Sequence, residues 1–172
     1  MTGTPTRTPP SVPPIGPPLV VVALPSQTVA GWRRGGLDAY GLVPERVASS
    51  SGAGTPCRHC LGQVPAGRPY LIVAHRPFGG LNPYAETGPL FVCADDCARG
   101  GGAALPAAML TAATYLLRGY SRDERIVYGS GGVVPTGEIG ARCAALFAQD
   151  EIAAVHVRSA TNNCYFFRVE RG

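Results

Sequence analysis

The stretch IAAVHVRSATNNCYFFRVER, residues 152–171, reads as two strands joined by a tight turn. IAAVHVRS and CYFFRVER are rich in β-branched and aromatic residues, and the intervening TNN carries asparagines that tolerate the positive φ of a hairpin turn. Side chains alternate along a strand, so His156 and Arg158 share one face and Val155 and Val157 the other. Spacing alone predicts that the His156–Arg158 face meets solvent. A histidine and an arginine side by side would also suit an anion or a carboxylate.

Working outward from this hairpin, other runs read as strands: LVVVAL (19–24), bounded by Pro18 and Pro25, PYLIVAH (69–75), GPLFVC (88–93) and DERIVYG (123–129). Ser26 is placed to cap a short helix over 27–34 that Gly35–Gly36 stops. LPAAMLTAATYLL (105–117) reads as a helix, or a helix plus a strand. Pro135 opens a helix over 136–150 with Ile139, Cys143, Leu146 and Phe147 on one face. RGGGA (99–103) reads as flexible, GSGG (129–132) as a tight turn, and RPFGGLNPYAET (76–87) as an irregular excursion. Strands outnumber helices and hairpins link some of them. The predicted class is α+β, one domain over residues 19–172 built mainly on antiparallel sheet, preceded by a disordered proline- and threonine-rich tail at 1–18.

The chain has 172 residues, of which 45% are hydrophobic and only 15% charged, with 23 glycines and 17 prolines. All fifteen basic residues are arginine, whose planar fork suits carboxylates, phosphates and aromatic faces. The net charge of +4 is spread along the chain, with no basic run interleaved with aromatics. That argues against a nucleic-acid partner. The longest apolar run is too short to span a bilayer, and no secretory signal is visible, so a reducing cytoplasm is the expected location. In that setting thiols act more often as ligands or reactive groups than as disulfides.

Six cysteines then matter. Cys57 and Cys60 form a CxxC, and Cys93 and Cys97 a CxxxC. Two short cysteine pairs from separate turns are a common structural zinc cage, because close spacing lets two thiolates of one knuckle reach one ion without backbone strain. The second spacing is one residue longer than in the usual ribbon. Inert buried thiols are the competing reading. His59 lies between two candidate ligands and is expected to point away. A thioredoxin-like dithiol is disfavoured, since Pro65 and Gly67 leave no helix to lower a thiol pKa.

The strings PCRHCL, RPF, NPYAETGPLFV, RGYSRDERIVYG and HVRSATNNCY, in this order, resemble the small bacterial proteins of domain-of-unknown-function family 1203. The resemblance runs from about Leu19 to Arg171 and names a family rather than a reaction. It implies that the family's motif positions fall on Cys57 and Arg58, on Tyr84, Glu86 and Gly88, on Arg118 and Tyr120, on Arg125 and Tyr128, and on His156, Arg158, Asn163 and Cys164. It also implies that the position of Cys93 is often histidine, an exchange that suits a metal ligand.

Motif residues of this polar kind hold and polarise ligands, whereas packing would call for aliphatic ones. One reading is a small-molecule enzyme or binding protein with a small anionic ligand. Arg58, Tyr84, Arg125, Arg158 and Asn163 would bind it, His156 or Glu86 would handle a proton, and Cys57 or Cys164 would serve as nucleophile. The alternative is a non-catalytic, zinc-stabilised protein-interaction module. No phosphate-cradling glycine loop, HExxH or GxSxG is present, so no nucleotide cofactor is implied. No feature of the sequence sets an oligomeric state.

Overall fold

A computed structural model describes residues 18–172. The tail expected at 1–18 lies, but for Pro18, outside the described residues. The chain forms β1 (Leu19–Val22), α1 (Ser26–Arg33), β2 (Glu45–Val47), β3 (Tyr70–His75), β4 (Gly88–Cys93), β5 (Gly101–Gly102), β6 (Thr114–Tyr120), β7 (Gly132–Pro135), a 3-10 turn (Thr136–Glu138), α2 (Ile139–Phe147), β8 (Ala154–Ser159) and β9 (Tyr165–Arg171). The α+β, mainly antiparallel class expected from the sequence is what the molecule shows. One sheet has six strands in the order β5-β1-β9-β8-β6-β7, the other three in the order β2-β3-β4, and every strand pairing is antiparallel.

The two sheets carry two apolar clusters. The first lies between α2 and one face of the six-stranded sheet. There Ile139, Cys143, Leu146 and Phe147, the face read from the helical period, meet Val155, Val157, Phe167 and Val169. The second gathers Val29 and Trp32 of α1 with Leu71, Val73, Leu90 and Val92 of β3 and β4, and Tyr165 of β9 packs against it. The smaller sheet therefore covers the other face of β9, the one away from α2.

Several local expectations change. Residues 123–129 form no strand; they turn back so that Ile126 bridges Tyr120, and the strand comes later, at β7. The alanine-rich run is turn followed by strand β6, because its second half pairs with β8 on one side and β7 on the other. Ser26 does not cap α1, whose N-cap is Pro25 with no side-chain bond. Its hydroxyl instead meets the His59 ring.

The 99–103 glycine run is ordered, and its composition is required. Gly101 and Gly102 have φ of 114° and 111° and pair with β1, a backbone that side chains resist. At Gly100 a Cβ would stand 2.5 Å from the Cys60 carbonyl oxygen and 2.9 Å from its carbon. Since backbone cannot yield there as a side chain would, Gly100→Ala should destabilise the protein by about 1–3 kcal/mol in chemical denaturation. Gly131→Ala, whose Cβ meets nothing within 4 Å, should change it by less than about 0.5 kcal/mol.

Candidate functional site

The knuckle at 55–62 is built by its own backbone. Leu61 has φ 57°, the Leu61 N–H donates to the Cys57 carbonyl at 2.9 Å, and the Cys57 N–H donates to the Gly62 carbonyl at 2.8 Å. Cys57 bridges Phe91 of β4, and the Arg58 N–H donates to the Phe91 carbonyl at 3.0 Å. This lays the knuckle beside β4, whose last residue is Cys93. The sulfurs of Cys57, Cys60, Cys93 and Cys97 consequently lie within 4.8 Å of one another. A tetrahedron with metal–sulfur bonds of about 2.3 Å has sulfur–sulfur edges of about 3.8 Å. A spread of no more than 4.8 Å is compatible with that dimension. None of them is in a disulfide.

Further donors converge on the cage. The Cys93 N–H donates to the Cys57 sulfur at 3.3 Å, and Arg33 Nη2 donates to the Cys97 sulfur at 3.2 Å. His59 Nδ1 is 3.1 Å from the same sulfur, and Ser26 Oγ is 3.0 Å from Nε2. A proton on Nδ1 satisfies both contacts, with the serine hydroxyl donating to Nε2. The expectation that His59 points away is thus overturned: α1 supplies Ser26 and Arg33, and their placement turns the ring toward sulfur. Such outer partners orient ligands and offset thiolate charge. The thiols influence one another strongly. Hydrogen bonds from Cys60, and then from Cys93 and Cys97, hold the Cys57 thiol low. Its proximity to Cys57 pushes the Cys93 thiol up. All four can ionise together only when a cation lies among them.

The second site lies on the covered face of the six-stranded sheet. The β8–β9 register runs Val157 opposite Phe167 and then Arg158 opposite Tyr165. Strand β9 thus advances two residues where β8 advances one, and Phe166 is the extra residue of a bulge. The bulge turns Tyr165 to the same face as His156, Arg158 and Arg168. Loop 76–87 then crosses this face. Phe78 packs on Tyr120 and His156 with ring centroids 5.3 Å away in each case. Glu86 accepts from Arg118 Nη1 at 2.8 Å, and its other oxygen is ion-paired with Arg158 Nη2 at 2.6 Å. The solvent-exposed face expected from the alternation is in fact buried: His156 is 1% exposed and Arg158 5%.

Beside Glu86 and Arg158 opens a cleft of about 380 Å³, floored by Asn163, Cys164 and Tyr165 and walled by His75, Thr87 and Pro89. Arg158 is fixed on one edge, its Nε donating to the Asn163 side-chain oxygen at 2.8 Å and to the Asn163 carbonyl at 3.1 Å. Asn163 can present both oxygens because it sits in the turn at φ 56°. Arg158 Nη1 is buried without a partner.

The predicted site residues do not all meet. Glu86, Arg158, Asn163 and Cys164 border the cleft together. Cys57 belongs to the thiol cage. His156 lies behind the cleft, boxed by the rings of Phe78, Tyr120 and Tyr165, and its Nδ1 has no partner. Neither thiol proposed as its nucleophile is hydrogen-bonded to it. Arg58 sits between the Phe166 and Phe91 rings and donates to the carbonyls of Tyr165 and Pro56 at 2.8 and 2.6 Å. Burial lowers its pKa to about 10, so it stays charged and pins the knuckle to β9. Tyr84 and Arg125 stack on each other outside the cleft, with Tyr84 also against Tyr128. His75, Thr87, Asn162 and Tyr165 line the cleft without having been singled out. Tyr165 was adjacent to a candidate, whereas nothing in the local sequence marks His75.

The site so defined is a four-thiol centre beside a buried arginine cleft on an antiparallel α+β scaffold. The chain belongs to the family described as protein of unknown function DUF1203, whose model matches residues 54–171. All four thiols and the whole cleft fall inside that span, while Ser26 and Arg33 fall outside it. No curated protein and no solved structure matches the chain.

Burial, then the charges of Arg158 and Arg168, holds the His156 ring well below its ordinary value of 6.5. Burial and then Arg76 lower His75 to about 4. Both rings are neutral in the folded protein at pH 7, and only the unfolded chain takes up protons just below about 6.5. Their contribution is intact above that value and is lost as pH falls below it, at about 1.4 kcal/mol per pH unit for each ring. His156→Phe should therefore show a shallower loss between about pH 6.5 and 5 than the parent protein, by about that amount per unit. Urea unfolding across that range checks this, and equal slopes would contradict it.

Proposed function

We propose that the protein is a zinc-stabilised binding protein for a small anionic molecule, the metal in the four-thiol cage and the ligand in the Arg158 cleft. The observation that carries the ligand is Arg158, which lines the cleft and whose Nη1 is buried without a partner. An unpaired buried donor costs about 1–3 kcal/mol, more when charged, and an anion entering the cleft would offset that cost. The observation that carries the metal is the convergence of four sulfurs. An all-thiolate tetrahedron is closed, so zinc there supports folding and leaves no open position for substrate.

Binding is favoured over catalysis by the contacts of the candidate groups. Among the described residues no histidine is hydrogen-bonded to Cys164, and the His75 ring in the cleft is neutral at pH 7. The interaction-module reading stands second; it draws on Leu37, Tyr40, Leu42 and Val43, all more than 60% exposed beside edge strand β2.

Metal analysis of protein purified anaerobically should give about one zinc per chain. Cys57→Ser and Cys97→Ser should each lose the metal and unfold at lower temperature, because binding energy at such a site is folding energy. Absence of any metal would remove the cage. In a thermal-shift screen of organic acids and phosphates, at least one anion should stabilise the protein, by about 2.7 kcal/mol at a hundredfold excess over Kd. Arg158→Ala should abolish that gain. A screen in which no anion stabilises the parent protein would remove the ligand.

A further inference from the structure

The geometry points to an organic monocarboxylate with a flat, ring-bearing body as the ligand of the Arg158 cleft, in preference to a phosphate. This rests on reading the cleft as a ligand site, and it adds the ligand's charge and shape.

Charge comes first. Arg118 and Arg158 bring two positive charges to the single negative charge of Glu86, which both contact. The three-residue cluster keeps one net positive charge, with Glu86 and Arg158 as its members at the cleft. Arg168 adds none, since it is paired with Glu170 at 2.6 Å. Arg76, like Arg118, lies outside the lining, and the one histidine within it, His75, is uncharged at pH 7. A monoanion matches that remainder. A phosphate monoester, with close to two negative charges at pH 7, would bring an extra charge near the Glu86 carboxylate with no cation to meet it.

Donor geometry points the same way. The Nε–Nη2 edge of Arg158, the fork that clasps an oxyanion sideways, is occupied by Asn163 and Glu86. What remains is Nη1, a single nitrogen at the end of the guanidinium. One nitrogen can serve one or two oxygens of a carboxylate. It cannot meet the three terminal oxygens of a phosphate, and no helix residue is among those lining the cleft. Asn162 and Asn163 offer neutral polar contacts beside it.

Shape follows from the walls. Pro77 and Pro89 present flat apolar surfaces, and the His75 ring, held against the Trp32 and Tyr165 rings at centroid distances of 5.7 and 6.2 Å, presents a neutral aromatic one. A cleft of about 380 Å³ lies at the small end of ligand-site volumes. A planar ring with one carboxylate fills such a space with its charged end toward Arg158.

The test uses the full chain and three probes of one shape: benzoate, benzamide and phenyl phosphate, each at millimolar concentration. Calorimetry and thermal shift should show benzoate binding at least tenfold tighter than either of the others, and Arg158→Ala should remove the difference between benzoate and benzamide. Because that variant also loses an ion pair and could fold poorly, a second readout uses the parent protein. Cys164 borders the cleft and is partly exposed, so benzoate should slow its alkylation by iodoacetamide, followed by peptide mass spectrometry, while benzamide should not. Tighter binding of phenyl phosphate, with the same dependence on Arg158, would overturn the monocarboxylate and leave the anion site standing. Equal binding of benzoate and benzamide, with no protection of Cys164, would overturn the monocarboxylate and count against the anion site as well.

Discussion

Four sulfurs drawn from two turns, 36 residues apart at Cys57 and Cys93, meet where the knuckle, the end of β4 and the two ends of α1 come together. Thiolates at this spacing repel one another, and only a cation among them makes the ionised set favourable. The neighbouring contacts are arranged for such a set: an arginine and a histidine N–H on Cys97, a backbone N–H on Cys57. The knuckle in turn presents Arg58 to the Tyr165 carbonyl at 2.8 Å. The four-thiol cluster and the hairpin that floors the cleft are thus joined through one buried guanidinium.

The hairpin depends on that junction in a second way. Its bulge at Phe166 puts Phe167 and Val169 toward α2 but Tyr165 on the opposite face, toward the smaller sheet, where regular alternation would have set Tyr165 beside Phe167. The extra residue is itself used, because the Phe166 ring lies 4.6 Å from the Arg58 guanidinium and edge-on to Tyr115. A residue inserted to change the strand's register therefore also covers a buried charge.

On the polar face, three arginines stand close to a histidine that has no hydrogen bond through Nδ1. Such a face is tolerated because Glu86 reaches in from loop 76–87 and forms ion pairs with two of the arginines, and because the histidine is neutral. The loop's own ties are modest ones at the surface, such as the Gly79 N–H donating to the Glu124 carboxylate at 2.8 Å. Glu86 is 38% exposed at its side chain and Arg158 only 6%, so the carboxylate caps the buried guanidinium at the cleft.

What could be read directly was what local periodicity and spacing control. The apolar face of α2, strands β1, β3 and β4, the final hairpin with its positive-φ asparagine, and the pairing of thiols within each turn all follow from contacts between near neighbours in the chain. The run at 105–117 was ambiguous for a physical reason: alanine and leucine favour a helix locally, and pairing with β8 and β7 outweighs that preference. Residues 123–129 have strand composition, yet Glu124 takes φ 57° and turns the chain back. Two facts belonged to tertiary structure alone. One is that the two thiol pairs face each other across a single point. The other is that loop 76–87 covers the His156–Arg158 face, which alternation by itself leaves equally fit for water. Alternation says which residues share a face, but what lies over that face is set by packing between segments some 70 residues apart, about which short-range spacing carries no information.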